Sequence, residues 1–159
     1  MSLMFDPESL RNIIRISLDP LGWWSPEAEE LLMMTAAHES GLGKYNHQIK
    51  GPALGLYQME PPTFYGGYDN YLNYPGRRKL KKDIALISGV SSPKLMQLKF
   101  NPIYATIMAR LKYRRAPGAL PPASDTWALA EYAKDHYNTL MGKATPEKYH
   151  DAYRRLVLA

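Results

Sequence analysis

Within "TAAHESGLGKYNHQIKGPALGLYQMEPPT", from Thr35 to Thr63, an ionisable residue falls where an apolar pattern should continue. Ala28, Leu31, Leu32, Thr35 and Ala36 recur at spacings of three and four, the signature of a buried helical stripe, and Glu39 is its next position. Burial disfavours a charged carboxyl, and the last turn of a helix sets it against the negative end of the helix dipole. Both effects raise its pKa. A carboxylic acid protonated near neutral pH is what a general acid requires. The competing reading is a surface helix end with Gly41 and Gly43 as caps. Further along, Gln58 by itself reads as a surface turn residue, and Glu60 is a second acid two residues on, read either as a water-activating base or as a solvated turn residue. Asp69 and Asp83 are weaker candidates for the same role. His38, His47, His136 and His150 show no metal-ligand spacing and the chain has no cysteine, so no metal or cofactor is expected.

The elements that must position these groups are helical. A capping residue followed by proline recurs at Asp6-Pro7, Ser25-Pro26, Ser92-Pro93, Asn101-Pro102 and Thr145-Pro146. Proline at the first helical position loses no hydrogen bond, because that N–H has no intrahelical partner. Ser124-Asp125 marks a further start. Strand patterning is weak, and only residues 46–60 have turn chemistry dense enough for a short hairpin or loop region. "YGGYDNYLNYPGRRKLKK" reads as irregular or partly helical. No repeat or linker divides the chain, so residues 1–159 form a single, mainly α domain.

A chain of 159 residues buries enough surface to fold without staples. It has no apolar run near the ~20 residues that span a bilayer. The N-terminus carries Asp6 and Glu8 and lacks a leading basic segment, so it does not read as a signal peptide. The net charge of +5 favours polyanionic partners: nucleic acid, a membrane surface or an acidic wall polymer. Tyr57, Tyr65, Tyr68, Tyr71 and Tyr74 crowd one window, where they either wall a sugar groove or pack a loop onto the domain. The basic runs "GRRKLKK" and "KYRR" fit nucleic acid, anionic wall groups or a solvated face.

Glu39-Ser40 followed nineteen residues later by Gln58, in a segment that also contains Gly55, Leu56, Pro61 and Thr63, resembles the two-part motif of lytic transglycosylases of the lysozyme-like superfamily. Tyr57 stands where that family more often has methionine. "NPIYATIMARLKYR" is similar to the family's next helix, and "ALAEYAKDHYNTLMGKATPEKY" to its closing motif, in which a Tyr-Asn pair precedes Pro-Glu and a tyrosine. Here Tyr132 and the Tyr137-Asn138 pair are five residues apart, about 140° around a helix, so the two tyrosines cannot serve one face.

The resemblance implies a lysozyme-like helical domain that degrades peptidoglycan, closest in flavour to phage-encoded enzymes carried by a virion, with glycan strands and phage tail proteins as partners and nucleic acid disfavoured. It implies that Glu39 protonates the bond between N-acetylmuramic acid and N-acetylglucosamine, then acts as base to close a 1,6-anhydro ring. Ser40 would orient the glutamate or the substrate, Gln58 would bind the sugar, and Tyr137, with Tyr132 as the alternative, would hold the Glu39 carboxyl. Tyr57, Glu60 and Asn138 complete the expected substrate-binding set. A hydrolytic muramidase using Glu60, and a non-catalytic virion or nucleic-acid-binding protein, are the other readings.

Overall fold

A computed structural model describes residues 4–46, 51–137 and 142–159. The described residues form α1 (Pro7–Leu18), α2 (Pro26–Ser40), α3 (Pro61–Gly67), α4 (Arg78–Ser88), α5 (Gln97–Phe100), α6 (Pro102–Arg114), α7 (Thr126–His136) and α8 (Pro146–Tyr153), joined by shorter helical turns. The chain is mainly helical, with no strand among the described residues. Side-chain caps sit where the sequence places them: Asp6, Ser25, Asn101, Asp125 and Thr145 each accept from a first-turn N–H. Ser92-Pro93 opens no helix, since the next one begins only at Gln97. The stretch after Gly66 is partly helical, with a π turn at Tyr68–Leu72 and a 3-10 turn at Pro75–Arg77 ahead of α4.

The amphipathic stripe expected for α2 is not what forms. Every residue from Leu31 to Ala37 is buried, because α2 runs through the centre of the domain and packs on α1, α6, α7 and α8. A helix enclosed on all sides needs apolar residues all round. Its first turn is fastened to α1 by charge. The buried Glu29 accepts from Arg11 (2.7 Å), Arg15 (2.7 Å) and the Trp24 indole (2.9 Å), while Glu30 pairs with Arg11 and accepts from the Tyr153 phenol (2.5 Å). Burial alone would raise the Glu29 carboxyl, but Arg15, Trp24 and Arg11 outweigh it and hold the group below its ordinary range. The N-terminal end of α2 is thus anchored, and its C-terminal end carries Glu39.

The expected hairpin reduces to one antiparallel bridge, Leu54 to Met59, closed by two backbone bonds of 3.0 Å. The four residues between them form a tight turn with Gly55 at φ 85° and Gln58 at φ 47°. A Cβ at Gly55 would lie 2.0 Å from the Leu98 carbonyl oxygen, so the turn is pressed backbone to backbone against α5. Its neighbours Leu56 and Tyr57 point inward and are buried.

Candidate active site

The end of α2 is built to stop abruptly. Gly41, Leu42 and Gly43 all have positive φ, and the Gly41 and Leu42 amides donate back to Ala37 and Ala36. Ser40 lies inside this wrap. Its hydroxyl donates to the Leu56 carbonyl (2.5 Å) and accepts from the Gly43 amide (2.9 Å). At 1% exposure it is closed off from the surface, and of the two expected roles its contacts match the first: it ties the helix carrying Glu39 to the turn carrying Gln58.

Glu39 itself is half-buried, and its Oε2 accepts from the Tyr149 phenol at 2.7 Å. Burial pushes the carboxyl up to about 7, opposed by the Tyr149 hydrogen bond and the Lys112 charge, with a small upward contribution from Glu60. The tyrosine assigned to this contact from the sequence is corrected. Tyr137 instead donates to the Tyr57 carbonyl at 2.6 Å. Tyr132 is buried against Tyr113 and His136, at ring separations of 5.8 and 4.3 Å. Asn138 and His47 lie outside the described residues.

Tyr57, expected to touch substrate, is buried at 1% exposure, with its phenol paired to Thr106 at 2.8 Å. Its carbonyl is held by Tyr137 and that of Leu56 by Ser40, so both inward carbonyls of the turn are satisfied by side chains from elsewhere. The turn presents Gln58. Its Nε2 donates to the carbonyls of Gly55 (2.9 Å) and Tyr45 (3.1 Å). Two carbonyl acceptors fix which end of the amide is NH2, leaving Oε1 as an acceptor.

Lys112, on α6, completes the surroundings. Its ammonium donates to the Tyr137 carbonyl at 2.6 Å and lies 4.1 Å from that ring's centroid. Burial lowers its pKa, opposed by the charges of Glu39 and Glu60. Glu60 is exposed at the N-cap of α3 and makes no capping bond. It influences Glu39 through space without touching it.

A cavity of about 470 Å3 opens on Glu39, with His38, Lys44, Tyr45, Lys148 and Asp151 among its walls. The His38 ring lies 4.1 Å from that of Tyr149 and joins the same wall. Burial, with help from Lys148, holds His38 down to about 4, so the imidazole is neutral at pH 7. Of the tyrosine window, Tyr57 and Tyr68 belong to the core. Tyr65 and Tyr74 are exposed, and Tyr71 is covered by the Arg77 guanidinium at 3.8 Å.

Sequence reasoning did not assign Tyr149 and Lys112. Tyr149 is the tyrosine of "PEKY" in the closing motif, and Lys112 belongs to the basic run "KYRR", so both were visible as residues and unmarked as partners. Among the described residues, no group of three or more acidic, histidine or cysteine side chains is placed to hold a metal ion. No protein-family model, no curated protein and no solved structure matches this chain.

Proposed function

We propose that this protein is a peptidoglycan lytic transglycosylase that cleaves the β-1,4 bond between N-acetylmuramic acid and N-acetylglucosamine with Glu39 as its acid and base. The observation that carries the reading is a single half-buried carboxyl at a cavity wall, held by Tyr149 and raised to about 7. At neutral pH such a group is present in both protonation states, which suits a residue that must give a proton and take one back. In the first step protonated Glu39 transfers its proton to the glycosidic oxygen as the C1–O bond breaks. In the second, the Glu39 carboxylate removes the proton from the muramic acid 6-hydroxyl as that oxygen bonds to C1. The acid is regenerated and no water is consumed. With its Nε2 taken up by two carbonyls, Gln58 keeps Oε1 to accept from an acetamide N–H.

The hydrolytic alternative requires a second carboxylate, at ~5–5.5 Å for retention or ~6.5–9.5 Å for inversion. Glu60 is the acid that shares an electrostatic environment with Glu39 and Lys112, and it is the observation in favour of that alternative. Its exposure weighs toward one-acid chemistry. Digestion of purified peptidoglycan followed by mass spectrometry tests the choice. Anhydro-ended fragments, lighter by one water, are expected; reducing ends would overturn the transglycosylase reading in favour of hydrolysis. No lysis, with salt-dependent DNA binding instead, would favour the non-catalytic reading.

A further inference from the structure

The cavity at Glu39 shares a wall with a second depression. Lys148 and Asp151, one turn apart on α8, line the Glu39 cavity and also a neighbouring depression of about 530 Å3 that contains Trp127. Trp127, in the first turn of α7, is 44% exposed. It is not loose. Its ring meets His150 edge-on at 5.1 Å, and the His150 Nε2 is in turn bonded to the Thr126 hydroxyl at 3.1 Å. Around the indole stand Glu147, Lys148, Asp151 and Arg154.

A single exposed tryptophan needs no explanation in itself. This one differs in three respects: His150 packs against it edge-on, charged donors and acceptors ring it, and its depression abuts the one that holds Glu39. A pyranose presents an apolar C–H face and a rim of hydroxyls, so it matches an indole surrounded by such groups. Asp151 is held by Arg154 and Arg155 at 3.1 and 2.9 Å, which keeps the shared ridge in place. We propose that Trp127 is a distal sugar-binding platform for the same β-1,4-linked glycan strand that enters the Glu39 cavity, the strand crossing α8 over Lys148 and Asp151. This rests on the reading of Glu39 as a residue that acts on glycan.

The test uses the Glu39→Gln protein, which holds substrate without turning it over, and a hexamer of β-1,4-linked N-acetylglucosamine as probe. The chain has three tryptophans, so its indole N–H signals are few, and Trp127→Phe identifies the relevant one by its loss. The Trp127 indole is expected to shift on titration with the hexamer and far less with the monosaccharide. Separately, Trp127→Ala is expected to lower the ratio of turnover on long strands to turnover on short fragments by about tenfold, the scale of one lost stacking contact. An indole that does not move at saturating hexamer, or a rate ratio that stays the same, overturns the platform. If the indole shifts but the parent protein releases no fragments from peptidoglycan, the platform stands and the Glu39 reading falls; release of fragments with an unmoved indole gives the reverse.

Discussion

The phenol of Tyr149 donates to Glu39 Oε2 at 2.7 Å across 110 positions of sequence. The bond favours the ionised carboxyl, while burial disfavours it more strongly. Tyr149 is itself buried, and burial together with the Glu39 charge raises its pKa well above the ordinary phenol range, so it remains a donor at every pH of interest. His38 packs on its ring and helps fix its direction.

A raised carboxyl works against the folded state. Folding moves Glu39 from 4.5 to about 7, so the native protein binds the proton more tightly than the unfolded chain. This contribution to stability is fully present below pH 4.5 and is lost as pH rises through 7. At about 1.4 kcal/mol per pKa unit, discounted for partial exposure, the loss is about 1–3 kcal/mol. Glu39→Gln is therefore expected to be more stable than the parent by that amount at pH 8 and close to it at pH 4, while lacking muralytic activity. Denaturant unfolding at the two pH values measures it, and a Gln variant that clears walls at the parental rate would remove Glu39 from the chemistry.

Tyr149→Phe and Tyr137→Phe separate the contact that forms from the one read from the sequence. Loss of the Tyr149 hydroxyl removes a bond to the carboxylate, so the Glu39 pKa rises and the Glu39-dependent limb of the kcat/KM profile moves to higher pH. Turnover is expected to drop roughly 10- to 100-fold, the scale of a lost charged hydrogen bond. Tyr137→Phe instead strands the Tyr57 carbonyl. Its expected signature is a stability loss of about 1–3 kcal/mol and a raised KM through the Gln58 turn, with the pH limb in place. Equal pH shifts in the two variants would contradict this division.

Glu60→Gln tests the second acid. One-acid chemistry predicts anhydro products and turnover within about threefold of the parent, because Glu60 is exposed and only a minor influence on Glu39. A loss of several hundredfold would establish it as a catalytic partner. The readout is initial rate together with fragment mass.

Two substitutions probe the scaffold rather than the carboxyl. Glu29→Ala removes the buried acceptor shared by Arg15, Arg11 and the Trp24 indole, while Arg11 keeps Glu30, and is expected to cost about 1–3 kcal/mol, the scale of a donor left unsatisfied. Gly55→Ala forces a Cβ onto the Leu98 carbonyl at a positive φ, so the turn must move away from α5. That variant is expected to lose sugar affinity as well as stability, because Gln58 rides on the same turn. Thermal melts and hexasaccharide titration report the two effects; a Gly55→Ala protein with parental melting and binding would show the close approach to be slack.

Much of the local structure is determined by the sequence itself. Cap residues before prolines act within one turn of chain, so the starts of α1, α2, α6 and α8 are readable from a few adjacent residues. Glu39 was legible because its type conflicts with its neighbours. Partners were not. Tyr132, Tyr137 and Tyr149 have the same chemistry and all three are buried, and only the packing of α8 and α7 around α2 decides that Tyr149 reaches the carboxyl while Tyr137 turns to Tyr57. The stripe assigned to α2 failed for the same reason, since periodicity describes one face and cannot say that neighbours will cover the others. The sequence by itself determined a helical chain, where its helices begin and which acid was out of place. Tertiary structure decided which side chains surround that acid, because hydrogen bonds over 2.7 Å are set by the docking of elements 110 residues apart.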